Sequence, residues 1–203
     1  MRLEPLGAAH VEALARAAAV DRASFAWTFV PDGKADVARY VAEAEAARAR
    51  GAALPFAIVS RALDRVVGAT RLGSIERWEW PPAAPLARTP EAVDAAEIGW
   101  TWLEPAAQRS GVNTESKKLL FALAFETLGA HRVTLVADVR NARSRAAIER
   151  IGARFEGILR AHFPAPDGAV RDSAAFSVLA REWPEVRARL DALLGARGAR
   201  RDA

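Results

Sequence analysis

The sequence predicts a single α/β (α+β) domain: a mixed, mostly antiparallel sheet with helices packed against it. Three observations carry this reading. The 203 residues are enough for one well-filled core. Apolar residues make up 51% and charged residues 27% of the chain, the balance of a globular protein. Helical and alternating periodicities interleave in the order helix, helix, three strands, helix, strand, helix, two strands, helix, which places one parallel step around the third helix.

Ala8 to Val20 reads as the first helix, and Lys34 to Arg50 as a second, Ala-rich one ended by Gly51. Between them lies an aromatic segment, Ser24-Phe-Ala-Trp-Thr-Phe-Val30, closed by Pro31-Asp-Gly33. It reads either as apolar cover for the helix pair or as the wall of a pocket. Pro55 to Arg61 and Val66 to Glu76 form two strands turning at Leu63-Asp-Arg65. Trp80 to Pro90 is too rich in proline for regular structure, so it is read as an exposed loop.

Ala95 to Leu103 is a strand ended by Pro105, and Leu119, Leu120, Leu123, Ala124 and Leu128 set a helix over 114–128 with Gly129 as its C-cap. Arg132 to Asp138 is a further strand. Asn141 caps a short helix that Gly152 ends. Arg154 to His162 and Asp172 to Ala180 pair through Pro166-Asp-Gly168, and Trp183 to Leu194 is the last helix. The expected domain is 1–194, with 195–203 a frayed tail.

The most informative stretch is Gln108-Arg-Ser-Gly-Val-Asn-Thr114, a polar, glycine-containing turn between a strand and a helix. A helix start leaves backbone N–H groups unpaired and adds the positive end of the helix dipole, so an anionic cofactor tail suits it. Strand-turn-helix junctions that bind nothing are also common, and one glycine does not separate the two readings.

Composition excludes several classes. There is no cysteine, which removes disulfides, zinc-thiolate sites and thiol nucleophiles. His10, His131 and His162 are scattered, so no metal site is expected. No apolar run reaches the roughly 20 residues of a membrane helix. The start, Met1-Arg-Leu-Glu-Pro-Leu6, lacks a signal peptide's apolar centre, which points to a cytoplasmic protein. The net charge of +4 invites a nucleic-acid reading, but arginines alternate with acidic residues along the chain and form no selected patch, so no nucleic-acid partner is expected.

Several ordered motifs resemble one family. Glu97-Ile-Gly-Trp-Thr-Trp-Leu103, Gln108 to Glu115, Asn141 to Ile148 with Ile151-Gly-Ala153, Glu156-Gly-Ile-Leu159 and Asp167 to Asp172 are similar to the GNAT acetyltransferase superfamily. They look most like its ribosomal-protein-alanine acetyltransferase (RimJ/RimL) branch. The resemblance covers nearly the whole chain. It implies a GNAT-like sheet with splayed strands, acetyl-CoA lying between 95–103 and 132–138, and no metal.

By the same resemblance, the pyrophosphate is held by N–H groups of Gln108, Arg109, Ser110, Gly111, Val112, Asn113 and Thr114. Asn113 stands where the family has a small residue, and a side chain there either crowds the phosphate or donates to it. Backbone N–H groups of Trp100, Trp102 and Leu103 stabilise the developing oxyanion. Asn141 and Ser144 belong to the thiol end. Many relatives carry a tyrosine acid in the short helix, where this chain has Ile148; its only tyrosine is Tyr40. Ser144 is then the donor to the departing sulfur, its other reading being an ordinary helix-start serine.

Glu97 is the candidate base, with a solvated or ion-paired strand-end charge as its alternative. The branch's other glutamate position holds Phe163, and His162 beside it is a substitute base. Trp27, Phe29, Trp78 and Trp80 are candidates to line an acceptor pocket covered by the Pro81 to Pro90 loop. The same aromatics suit a homodimer interface. The implied reaction is acetyl transfer to a primary amine, on a small molecule or a peptide. The alternative is a CoA-binding domain with weakened chemistry.

Overall fold

A computed structural model describes residues 1–198. Its elements are β1 (Arg2–Pro5), α1 (Val11–Ala19), α2 (Gly33–Ala49), β2 (Leu54–Ser60), β3 (Arg65–Glu76), β4 (Ala95–Leu103), α3 (Val112–Ala122), β5 (Arg132–Asp138), α4 (Ala142–Arg150), β6 (Arg154–Pro164), β7 (Val170–Leu179) and α5 (Trp183–Gly198). The seven strands form one sheet in the order β1-β2-β3-β4-β5-β7-β6. Every neighbouring pair is antiparallel except β4–β5. The expected mixed sheet with a parallel step across α3 is therefore present. Among the described residues no helix is long and apolar enough to cross a membrane.

Three apolar clusters form among the described residues, and the two larger ones pack helices against this sheet. Leu14, Ala17 and Ala18 of α1 and Val37, Val41 and Ala44 of α2 pack with Phe25, Val30, Ala69 and Trp102. Leu120, Phe121 and Ala124, Ile148 and Ile151, and Trp183, Val186 and Leu190 pack on Leu72, Ile98, Val133, Leu135 and Phe176. Each helix thus buries one stripe, the condition for a stable helix on a sheet.

Besides shifts of one to three residues at several ends, such as β6 running on to Pro164, three differences from the sequence reading stand out. β1 is an additional edge strand, whose four residues and terminal Pro5 give almost no strand signal; an edge tolerates that proline. α3 begins at Val112, two residues early, and continues as a π turn over Leu123–Thr127. α5 extends to Gly198, beyond the Leu194 end read from the pattern, and the rest of the anticipated tail lies outside the described residues.

The feature that makes the site is the incomplete β4–β5 ladder. It pairs only Ala95 with Arg132, Ala96 with Val133 and Glu97 with Thr134, and the strands then part. On the other edge of β4, the register with β3 slips between Ala69 and Arg71, where Trp100 takes φ 50°. A bulge of this kind bends a strand and re-aims its groups.

Beyond the slip, β3 and β4 run so close that a Cβ on Gly68 would stand 2.0 Å from the Trp102 carbonyl oxygen. Gly68→Ala is expected to destabilise the fold by about 3 kcal/mol, since backbone rather than a flexible side chain must yield. Urea denaturation measures this; an unchanged midpoint would show that the strands do not approach so closely.

Candidate active site

Where β4 and β5 part, a cleft of about 620 Å³ opens. Its walls are β4, β5, the start of α3, the inner side of α4, residues Phe25 to Phe29, and His162, Phe163 and Arg171 from the β6–β7 pair. Arg143 of α4 ties that aromatic segment across the opening, donating to the Ser24 carbonyl at 2.7 Å. The segment serves both roles weighed for it: Phe25 is buried edge-on against Trp102, while Trp27 and Phe29 face the cleft.

One end of the cleft is the turn before α3. Arg109 and Gly111 both have positive φ, 56° and 97°, a local arrangement that lets successive N–H groups converge on one point. Gln108 fixes the turn from both sides: its Nε2 donates to Leu103 O at 2.9 Å, and its Oε1 accepts from Arg143 at 2.9 Å. Arg150 donates to Thr114 Oγ1 at 2.9 Å, so α4 braces the first turn of α3. The Asn113 side chain lines the cleft, and its Oδ1 is buried with no hydrogen-bond partner. The turn therefore fits an anionic group held by backbone N–H donors, with the buried, unpartnered Asn113 Oδ1 beside it.

The other end carries the titratable groups. The Glu97 carboxyl lies over Gly99, where any Cβ would meet Oε1 at 2.7 Å. Burial raises its pKa above the ordinary 4.5, and the Ser74 hydroxyl at 3.4 Å with the charges of Arg171 and Lys117 offsets only part of that. Lys117 reaches from α3 to donate from Nζ to Thr101 Oγ1 at 2.8 Å, and it is only 5% exposed. Burial brings its pKa from 10.5 down to about 7, with Glu97 pulling the other way.

Asp138, at the end of β5, is held ionised by its hydrogen bonds from Arg140 (2.7 and 3.0 Å), whose guanidinium stacks 4.2 Å over Trp27. Arg171 has a buried Nε without a partner and lies 5.5 Å over the Phe163 ring.

Ser144 lines the cleft beside these groups. The cap of α4 is made by Asn141, whose Oδ1 accepts from the Ser144 backbone N–H at 3.0 Å. The Ser144 hydroxyl makes no hydrogen bond among the described residues, so the helix does not consume it. His162 reaches the cleft from an irregular stretch of β6, where Ala161 has φ 48°.

The structure thus gathers Glu97, Trp100, Trp102, Leu103, Gln108, Arg109, Gly111, Asn113, Thr114, Asn141, Ser144, His162, Trp27 and Phe29 around one cleft. Other expectations need correction. Ser110 and Val112 do not line the cleft but a second depression beside Met1 and Glu115, and Ser110 Oγ bonds the Ala107 carbonyl, which leaves only their backbone N–H groups for a part in the turn. Trp78 and Trp80 are not pocket walls: they cluster with His131 and bond Asp94 at the paired end of β4 and β5, away from the splayed end. The Pro81 to Pro90 loop does not cover the cleft either. Its Arg88 anchors it on Leu128, Gly129 and Val93 carbonyls.

Lys117, Asp138 and Arg171 were not singled out by sequence. For Lys117 a signal exists, because it falls on the same helical stripe as Leu120, Phe121 and Ala124, all buried.

Comparison with known proteins agrees with this geometry. A family profile described as "Acetyltransferase (GNAT) domain" matches residues 1–154. YdaF of Bacillus subtilis (strain 168), whose name assigns it provisionally to ribosomal N-acetylation, is 39% identical over 88 residues. That match covers 43% of this chain and 47% of YdaF, so the chain spans about half the length of this curated relative. A GCN5-related N-acetyltransferase from Brucella melitensis superposes with a TM-score of 0.77 at 32% identity, covering 94% of this chain and 80% of that one. Mycobacterium smegmatis RimJ, solved with CoA-disulfide, shares the fold at 23% identity and a TM-score of 0.77, covering 94% of this chain and 88% of RimJ. With its sheet, its splayed strands and a profile match over most of its length, the chain belongs to the GNAT acetyltransferase family.

Proposed function

We propose that the protein is an N-acetyltransferase passing the acetyl group of acetyl-CoA to a primary amine, in a ternary complex, with a protein N-terminus or a small molecule as acceptor. The observation that carries this is the slot between β4 and β5, which has an N–H cradle at one end and Glu97 at the other. Acetyl-CoA would supply an activated thioester, and each step then falls to a group of this chain. The turn from Gln108 to Thr114 binds the pyrophosphate through its N–H groups and the α3 dipole. Glu97, whose pKa burial raises, takes the amine proton as attack proceeds.

The re-aimed backbone of β4 at Trp100 to Leu103 offers N–H donors to the developing oxyanion. The Ser144 hydroxyl donates a hydrogen bond to the leaving sulfur. Trp27 and Phe29 form the apolar wall for the acceptor, and His162 stands at its rim. The name of YdaF favours a peptide acceptor, and a cytoplasmic setting goes with that substrate.

Calorimetry with acetyl-CoA and thiol release on screening with amines and N-terminal peptides test the reading. Heat of binding at micromolar cofactor and thiol release are expected; binding without release with any amine would favour a CoA-binding domain of weakened chemistry, which Ile148 and Phe163 in place of the family's acid and base would explain. Ser144→Ala should lower kcat more than it raises the KM for acetyl-CoA. An unchanged kcat would refute its role.

A further inference from the structure

The Lys117 amine takes no part in the scheme above, yet its placement is costly. The side chain is almost wholly buried, and no carboxylate lies within 4 Å of Nζ among the described residues. A buried ammonium that only packed would be better replaced by a methionine of similar length. Nζ is instead fastened to Thr101 Oγ1 at 2.8 Å, and that oxygen in turn lies 2.7 Å from Thr70 Oγ1. An ammonium has three N–H donors. One is spent on Thr101, and Lys117 itself lines the slot into which the others can be directed.

Thr101 directly follows the Trp100 bulge, and the stretch from Trp100 to Leu103 lines the same slot as Lys117. Lys117 and the re-aimed part of β4 therefore border one place. Glu97, the nearest acid on β4, feels the lysine's charge but forms no ion pair with it, so the cation is left available to another oxygen.

We propose that Lys117 is a catalytic residue, whose Nζ, anchored on Thr101, donates a hydrogen bond to the thioester carbonyl oxygen and holds the negative charge formed there during amine attack. This rests on the acetyl-CoA reading. As the amine nitrogen bonds to the carbonyl carbon, the π pair moves onto oxygen beside Lys117 and the amine proton passes to Glu97. The carbonyl then re-forms as the C–S bond breaks, and the electron pair leaves with sulfur. Lys117 is unchanged at the end.

The test uses the wild-type protein, Lys117→Met and Lys117→Arg, each loaded with acetyl-CoA carrying a 13C carbonyl. Infrared difference spectra should show the bound thioester carbonyl band at lower frequency than in buffer for the wild type. That shift should be lost in Lys117→Met and partly restored in Lys117→Arg. With an acceptor amine, Lys117→Met should also lose on the order of 10²-fold in kcat, with little change in the KM for acetyl-CoA. A band position equal in wild type and Lys117→Met overturns the proposal, as does a 42 Da gain on Lys117 by intact mass, which would make it a nucleophile. Calorimetry with CoA on the same samples separates the two levels: no CoA binding by the wild type removes the acetyl-CoA reading, whereas CoA binding with an unmoved band removes only the role of Lys117.

Discussion

Glu97→Gln is expected to lower acetyl transfer by about 10²–10⁴-fold, the usual contribution of a general base, with little effect on acetyl-CoA binding. Glutamine keeps the shape over Gly99, where the carboxyl already sits tightly, so the change is chemical and not steric. The pH dependence sharpens the test. A base must be ionised to act, and burial raises the Glu97 pKa above 4.5, so kcat/KM should climb with pH through that raised value. The groups facing it are the Ser74 hydroxyl on β3, Lys117 on α3 and Arg171 on β7. Their cationic members pull the pKa down, so Arg171→Met should move the ascending limb to higher pH. In Glu97→Gln the limb should vanish. A profile unchanged in Glu97→Gln but flattened in His162→Ala would transfer the role to His162, which also reaches the cleft.

The order of elements was legible because periodicity and punctuation agree along most of this chain. β4 and β5 were read from sequence with the bounds they have, 95–103 and 132–138, because each alternates strand formers between clear stops. β1 was not, since Arg2-Leu-Glu-Pro5 owes its pairing to β2 and not to its own pattern. The turn at Gln108 was legible through its glycine, which indeed takes φ 97°. The reactive end was harder. Glu97 drew notice through its motif, whereas Lys117 beside Lys118 reads locally as a solvated helix face. Leu119, counted with the apolar stripe, is 41% exposed, and the buried stripe runs instead through Thr114, Lys117, Leu120 and Ala124. That rotation of the helix is set by where β4 and β5 part, a long-range fact. Trp78 and Trp80 misled for the same reason: His131, whose ring both pack against, lies far along the chain.

Lys117→Met should make the protein more stable even as it slows transfer. Burial holds the amine near 7 when the unfolded chain would hold it at 10.5. Between those values the unfolded state binds the extra proton, so stability rises with pH across that window, and below pH 7 the folded state bears the full cost, on the order of 5 kcal/mol. Methionine removes the charge and keeps the volume, leaving Thr101 Oγ1 its partner in Thr70. Part of the cost stays, because a donor to Thr101 is lost, so a gain of about 1–4 kcal/mol is expected at neutral pH. For a chain of this size that is a rise of about 2–4 °C in Tm per kcal/mol.

The gain should shrink as pH approaches 10, since the wild-type lysine is neutral in the folded state there and becomes neutral in both states only above 10.5. Thermal unfolding of the two proteins from pH 6 to 10 measures it. A lower Tm for Lys117→Met at pH 7, or a difference that does not narrow with pH, would mean the amine is not held neutralised by burial. The same titration bears on rate: if the ammonium is what steadies the oxyanion, wild-type turnover should decline as pH rises past about 7, and Lys117→Met should lack that decline. Glu97 on β4 is the charged group that opposes this, and its loss in Glu97→Gln should move the decline to lower pH. Stability gained and turnover lost in one substitution is the signature of a charge kept for chemistry at the expense of the fold.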